Sequence, residues 1–518
     1  MASRIAVVLW ILLSLGGLVQ VTRADIRLPA VVGDHMVLQR DVPLTIWGWA
    51  DPGEQVSVTF DEAKASATAD ANGKWRVTLP AMKAGKALEM TLTGKNTIKL
   101  VDILMGEVWL GSGQSNMQWS VQQSTDPATE IAAANFPEIR LFSVPLVPSG
   151  TPADDVKSQW VACTPETIKG FSAVLYFFGR ELHRELKVPI GLINTSWGGT
   201  RIEPWTPPEG IASQSELRGD LEWVNARKSD HQKALDAGLA QYRAWIESAE
   251  KAKAAGREIP DPPAAPPHPL NSNGVSTGLY NGMIHPLVPF AIRGAIWYQG
   301  EANVGEAMLY NTRMKALIQG WRTVWGQGDF PFLFVQLAPF DYGGVPTRLP
   351  ELWEAQAATL AFPNTGMAVT TDLVASLKDI HPPNKQDVGK RLALWALAKT
   401  YNQSDVEYSG PVYDSLAIEG KQIRLKFKHA NGGLVSRDGK PLSWFSIAAA
   451  DKKFVPAEAV IEGDSVVVRS PSVTDPVAVR FGWHQLAEPN LANKAGLPAS
   501  PFRTDNWSDA TAADPPTK

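Results

Sequence analysis

The sequence predicts an α/β domain with a largely parallel sheet, flanked on either side by an all-β module. Three observations predict it. Between 101 and 402, short apolar runs of buried-strand type alternate with helical stretches. Outside that region the pattern changes to period-2 alternation broken by Gly, Pro and Asn turns. The apolar run ending Val108-Trp109-Leu110 opens into Gly111-Ser112-Gly113-Gln114-Ser115-Asn116-Met117. Apolar strand, tight glycine turn, then serine is how a chain presents a nucleophilic hydroxyl at the carboxyl end of a strand. At 518 residues the chain exceeds a single core, so several domains are expected.

The chain begins with the basic start Met1-Ala2-Ser3-Arg4, an apolar run from Ile5 to Val21, and Thr22-Arg23-Ala24. Residues 1–24 read as a signal peptide cleaved after Ala24, sending the protein to a periplasm or out of the cell. The apolar run falls short of the ~20 residues a membrane helix needs, and nothing later resembles one, so no stable membrane insertion is expected. Residues 25–100 form an N-terminal β-module with strands at Leu44–Trp49, Gln55–Phe60 and Lys74–Leu79, read as a small antiparallel sandwich.

Residues 101–402 form the α/β domain. Strands are expected at 108–110, 190–193, 294–298, 332–337 and 366–370, and helices at 172–186, 307–325, 352–361 and 388–401. An insertion at 207–269 interrupts it, with a charged helical stretch at 215–253 and a stiff proline run at 260–267. It is either a lid or an inert arm. Residues 403–518 form the C-terminal β-module, with strands at 422–427, 459–462, 465–468 and 477–483.

Composition excludes some functions. The chain is 44% hydrophobic and 20% charged, with a net charge of −4 and no basic stripe, so nucleic acid is not an expected partner. The single cysteine, Cys163, cannot form an intrachain disulfide or a cysteine-based zinc site, and it reads as a buried thiol. The 19 Trp suit core filling and, at exposed positions, stacking on sugar rings.

A serine nucleophile at Ser115 needs a base, an orienting acid and oxyanion donors. Of the eight histidines, His381 stands out, in a loop after a predicted strand and two residues past Asp379; His285 is the rival. Asp379 would orient one ring nitrogen and leave the other to take the serine proton. Gly198 and Gly199, just after the 190–193 strand, allow a backbone N–H to approach an oxyanion. The segment from Gln299 to Asn303 offers side-chain amides after another strand. Met117 stands two residues past Ser115, where an α/β-hydrolase elbow has glycine, so a lipase-like fold is disfavoured.

In order, Asp34-His35-Met36-Val37-Leu38-Gln39-Arg40, Gly113-Gln114-Ser115-Asn116-Met117, Ser196-Trp197-Gly198-Gly199-Thr200, Leu279-Tyr280-Asn281-Gly282-Met283-Ile284, Trp297-Tyr298-Gln299-Gly300-Glu301 and Asp379-Ile380-His381-Pro382 resemble the sialate O-acetylesterase group of the SGNH-type hydrolases. The resemblance spans most of the chain beyond residue 24. It implies a three-layer α/β/α domain of SGNH type flanked by β-sandwich-type modules. It also implies a serine esterase that removes O-acetyl groups from carbohydrate with no cofactor and no metal. Ser115 would be the nucleophile, His381 the base and Asp379 the acid. The Ser115 N–H, a glycine N–H at Gly198 or Gly199, and a third-block amide would form the oxyanion hole.

Two departures matter. Asp379 stands two residues before the histidine where the usual pattern has three, and Ala302 occupies the place of the usual third-block asparagine. Gln299, then Asn303, become the candidate third donors, and Glu301 becomes an alternative acid. The family name favours sialate, whose carboxylate calls for a cation; Arg201 is the one near the motifs. Acetylated xylan or xyloglucan is the alternative substrate. A non-catalytic carbohydrate-binding protein and a peptidase are readings of other classes.

Overall fold

The computed structural model describes residues 25–430 and 432–507; the proposed signal peptide, residues 1–24, lies outside the described residues. Its organising element is β1 (Thr97–Gly113), a 17-residue strand. The first residues of β1 alternate between buried and exposed, while everything from Ile103 to Gly113 is buried. That switch marks the passage from a one-sided antiparallel sheet to a parallel sheet covered on both faces. At its start β1 pairs antiparallel with Leu88–Thr93, in a sheet that continues through Gln55–Phe60 to Ala63–Thr68. Leu44–Trp49 pairs with Lys74–Leu79 to complete this N-terminal module.

Six further strands build the central sheet around the other half of β1. They are β2 (Phe136–Ser143), β3 (Trp160–Cys163), β4 (Ile190–Asn194), β5 (Gly294–Tyr298), β6 (Phe332–Val335) and β7 (Thr365–Ala368), and the order is β7-β6-β5-β1-β4-β2-β3. Only the edge strand β3 runs antiparallel to its neighbour. The chain fills one side of β1 with β2–β4 and the other with β5–β7. The carboxyl end of β1 is therefore the switch point where ligands of such sheets bind.

Helices α1 (Ser115–Gln118), α2 (Ala173–Leu186), α3 (Arg218–Ala254), α4 (Leu309–Trp325), α5 (Arg348–Ala358) and α6 (Lys385–Trp395) connect or interrupt these strands. Helix α2 packs on α6, and α4 on α5. Among the described residues no helix is long and apolar enough to cross a membrane.

The expected insertion is the 37-residue helix α3, of which only Val224, Gly238 and Ala252 are buried. The proline run folds back along it. Trp245 Nε1 donates to the Pro260 carbonyl at 2.7 Å, and the rings of His231 and His268 lie 4.2 Å apart. In the C-terminal module Val412–Glu419, Gln422–Lys428, Ser465–Arg469 and Glu458–Glu462 form one sheet, and Phe445–Ala448 lies in a second. Its apolar cluster is separate, whereas the N-terminal module and the central sheet share one core. The overall architecture is mixed α/β, with a large central sheet and additional β-sheet modules.

β1 runs across residue 100, the expected end of the N-terminal module. Strand β2 was not expected, because Pro137, Glu138 and Arg140 interrupt its alternation.

Candidate active site

β1 ends at Gly113, whose φ of +141° and position admit no side chain: a Cβ there would stand 2.1 Å from the Tyr298 carbonyl oxygen. The next N–H, of Gln114, donates to that same carbonyl at 3.0 Å. The chain then enters the single turn α1, with Ser115 at its first position. The Ser172 hydroxyl caps α2 and donates to the Met117 carbonyl at 2.6 Å, fixing the turn to the helix behind it.

The loop after β7 brings His381 back to this turn. Its Nε2 lies 2.9 Å from Ser115 Oγ. Trp119 stacks on the imidazole with ring centroids 4.6 Å apart and planes 15° from parallel. Burial, then the positive charge of Lys385, hold the His381 pKa below its ordinary value, against the opposing pull of Asp379. His285 instead donates through Nδ1 to the Ala153 carbonyl at 2.8 Å.

Asp379 is the nearer acid, but its Oδ1 stands 3.7 Å from His381 Nδ1, beyond hydrogen-bond reach. That oxygen accepts the His381 backbone N–H at 2.9 Å, and the carboxylate is 56% exposed. Glu301 reaches the site through Asn116: its Oε1 accepts from Asn116 Nδ2 at 2.5 Å. Its Oε2 is buried without a partner, and burial raises its pKa.

Several expected donors are otherwise engaged. The Gly198 N–H donates to Gln118 Oε1 at 2.7 Å. Gln299, wholly buried, turns its amide hydrogens on Gln114 Oε1, the Thr200 carbonyl and Asn303 Oδ1. Asn303 donates to Glu203 and Glu306. Both amides are engaged inside the fold. Gly199 differs: its φ is +74° and a Cβ would meet nothing within 4 Å. Arg201 is tied to Glu203, Glu306 and the Ala302 carbonyl, so its guanidinium serves an internal ion-pair network.

Sequence reasoning missed Asn116 and Lys385. Lys385 opens α6 yet is fully buried, and it donates from Nζ to Asn116 Oδ1 at 2.5 Å. Burial pulls its pKa down to about 7, with Glu301 and Asp379 opposing. Cys163 is buried and its pKa is raised to about 12, so it is no nucleophile. Among the described residues no group of three or more His, Cys, Asp or Glu side chains could hold a metal ion.

Comparison with known proteins places this geometry in a family. A family model described as a carbohydrate esterase, sialic acid-specific acetylesterase, matches residues 271–398. The sialate O-acetylesterase of Rattus norvegicus is 31% identical over 504 residues, covering 88% of this chain and 89% of that protein. The Homo sapiens sialate O-acetylesterase is 29% identical over 523 residues, covering 92% of each. Among solved structures, a carbohydrate acetylesterase from Xanthomonas citri superposes with a TM-score of 0.79 at 38% identity, covering 93% of this chain and 100% of that one. With likeness running through nearly its whole length, the chain belongs to the sialate O-acetylesterase family of carboxylic ester hydrolases.

Proposed function

We propose that this protein is an exported serine esterase that removes O-acetyl groups from carbohydrate through an acetyl-enzyme on Ser115. The observation that carries the reading is the 2.9 Å contact between His381 Nε2 and Ser115 Oγ at the carboxyl end of β1. Neutral His381 takes the hydroxyl proton as Oγ attacks the acetyl carbonyl. The imidazolium then protonates the departing sugar oxygen. Water, deprotonated by the same ring, releases acetate and restores the serine.

The oxyanion is held by the Ser115 N–H, which the first turn of a helix leaves without an intrahelical partner, and by the Gly199 N–H. Asp379 serves as the acid, its negative charge favouring the imidazolium that forms. In fold terms the central domain is of the SGNH three-layer type, entered along β1 and ending at about residue 402, with export directed by residues 1–24.

Sialic acid is the substrate the family name favours. The ion pairs of Arg201 favour a second reading, a neutral acetylated polysaccharide such as xylan or xyloglucan. They leave Arg201, the cation that sequence offers to a sialate carboxylate, committed elsewhere. The test is acetate release from an activated acetyl ester by wild type and Ser115→Ala, followed by a screen of acetylated sialic acid, xylan and xyloglucan. Turnover unchanged in Ser115→Ala would sink the reading.

A further inference from the structure

We propose that Lys385 is a positioning residue for this reaction, holding the His381 loop over the Ser115 hydroxyl through the side chain of Asn116. The inference rests on the serine-esterase reading above.

Asn116 follows the nucleophile in the chain, and Ile380 precedes the base. The Asn116 amide joins them: Nδ2 donates to the Ile380 carbonyl at 2.9 Å and to Glu301 Oε1 at 2.5 Å. Those two contacts demand that the nitrogen, not the oxygen, face them. An asparagine side chain is nearly symmetric and could present either end. Lys385 removes the choice. Below its pKa of about 7 the amine is an ammonium, which only donates, so Nζ at 2.5 Å fixes the Asn116 oxygen on its own side and turns the nitrogen toward Ile380 and Glu301.

Lys385 is fully buried, which is costly for an amine, yet no carboxylate among the described residues touches it directly. Charged and titratable groups face it from three elements. Glu301 and Tyr298 come from the end of β5 and the loop beyond it, and Asp379 and His381 from the loop before α6. From the turn α1 come only the neutral Asn116 and, just past it, Trp119. The Tyr298 and Trp119 rings lie 5.2 and 5.9 Å from Nζ. Trp119 carries the arrangement on to His381, on which it stacks. A methionine would fill the same space without the cost of a buried charge. What it could not do is orient Asn116 or place a positive charge behind the base.

The test measures kcat, KM and the pH profile of kcat/KM for Lys385→Met and Lys385→Arg on an activated acetyl ester. Lys385→Met is expected to lower kcat by about 30-fold or more, the scale of a small misplacement of reacting groups. KM should stay within about three-fold, because the contact orients the base rather than the substrate. The acid limb should move to higher pH, since removing a positive neighbour raises the His381 pKa. Lys385→Arg, which keeps a buried donor, should recover part of kcat.

A Lys385→Met kcat within about three-fold of wild type would overturn the proposal. So would a loss of kcat with an unmoved acid limb, which would mean packing alone. If Lys385→Met does not fold, Asn116→Ala keeps the amine but removes the clamp; it must show the same kcat loss, and wild-type kcat there overturns the proposal. Ser115→Ala separates the two readings. Full loss in Ser115→Ala with normal Lys385→Met removes only the role of Lys385, whereas normal turnover in Ser115→Ala removes the esterase mechanism itself.

Discussion

His381 can accept the Ser115 proton only while its ring is neutral, and both burial and the Lys385 charge favour the neutral form. Activity should therefore hold as pH falls to the ordinary histidine value of ~6.5 and decline only below it. A pH profile of kcat/KM with its acid midpoint above ~6.5 would contradict a lowered His381 pKa. The two candidate acids also separate by their surroundings. Asp379 is 56% exposed and 3.7 Å from Nδ1, so water screens it. Asp379→Asn should cost about ten-fold in kcat, far less than the ~10⁴ typical of a buried triad acid. An Asp379→Asn kcat equal to that of wild type would remove the acid role from Asp379. Glu301 meets the site through its bond to Asn116, so Glu301→Gln should lower kcat by loosening the His381 loop. The serine turn and the histidine loop could be read from sequence because each is a local pattern at a strand end. Lys385 could not: a lysine after the helix cap Asn384 looks solvent-facing until tertiary packing closes over it. The bonds of Gln299 and Asn303 were hidden for a related reason, since two amides that look available in sequence spend their hydrogens within the fold.

The elements around the site differ in how much change they tolerate. The end of β1 tolerates almost none. Gly113→Ala would place a methyl against the Tyr298 carbonyl in a backbone region that side chains avoid. It should cost about 3 kcal/mol or more, measured by denaturant unfolding. Helix α3 is the opposite case. It is exposed along most of its length, and the adjacent His231 and His268 rings show where the outgoing and returning chains meet. Replacing residues 234–265 with a short Gly/Ser loop should leave the protein folded, since each halving of loop length changes closure entropy by only ~0.6 kcal/mol. Turnover of a small acetyl ester should stay within about three-fold of wild type. A large change in KM with that ester would make the insertion a lid rather than an arm. The helix was legible because its polar, charged stretch is long and bounded by prolines. Strand β2 was not, because Pro137 and two charged residues mask its period.

At the scale of the molecule, one buried carboxylate gathers distant parts of the chain. Glu107, wholly buried in β1, accepts from Gln39 at 3.0 Å, Arg40 at 2.6 Å, Arg293 at 2.6 Å and Tyr401 at 3.1 Å. These residues come from the N-terminal module, the approach to β5 and the segment after α6. Glu107→Ala would leave two arginines without their shared partner and should cost ~3–5 kcal/mol in unfolding free energy. The alternation of the sequence announced both β-modules, but not that the first shares its core with the central sheet while the last has its own. That sharing depends on β1 running unbroken from Thr97 to Gly113. The strand that closes the N-terminal module is the one that delivers the nucleophile. Module and serine therefore form a single heritable unit. Recombination at residue 100 would not exchange a detachable accessory; it would sever the rail on which Ser115 is carried.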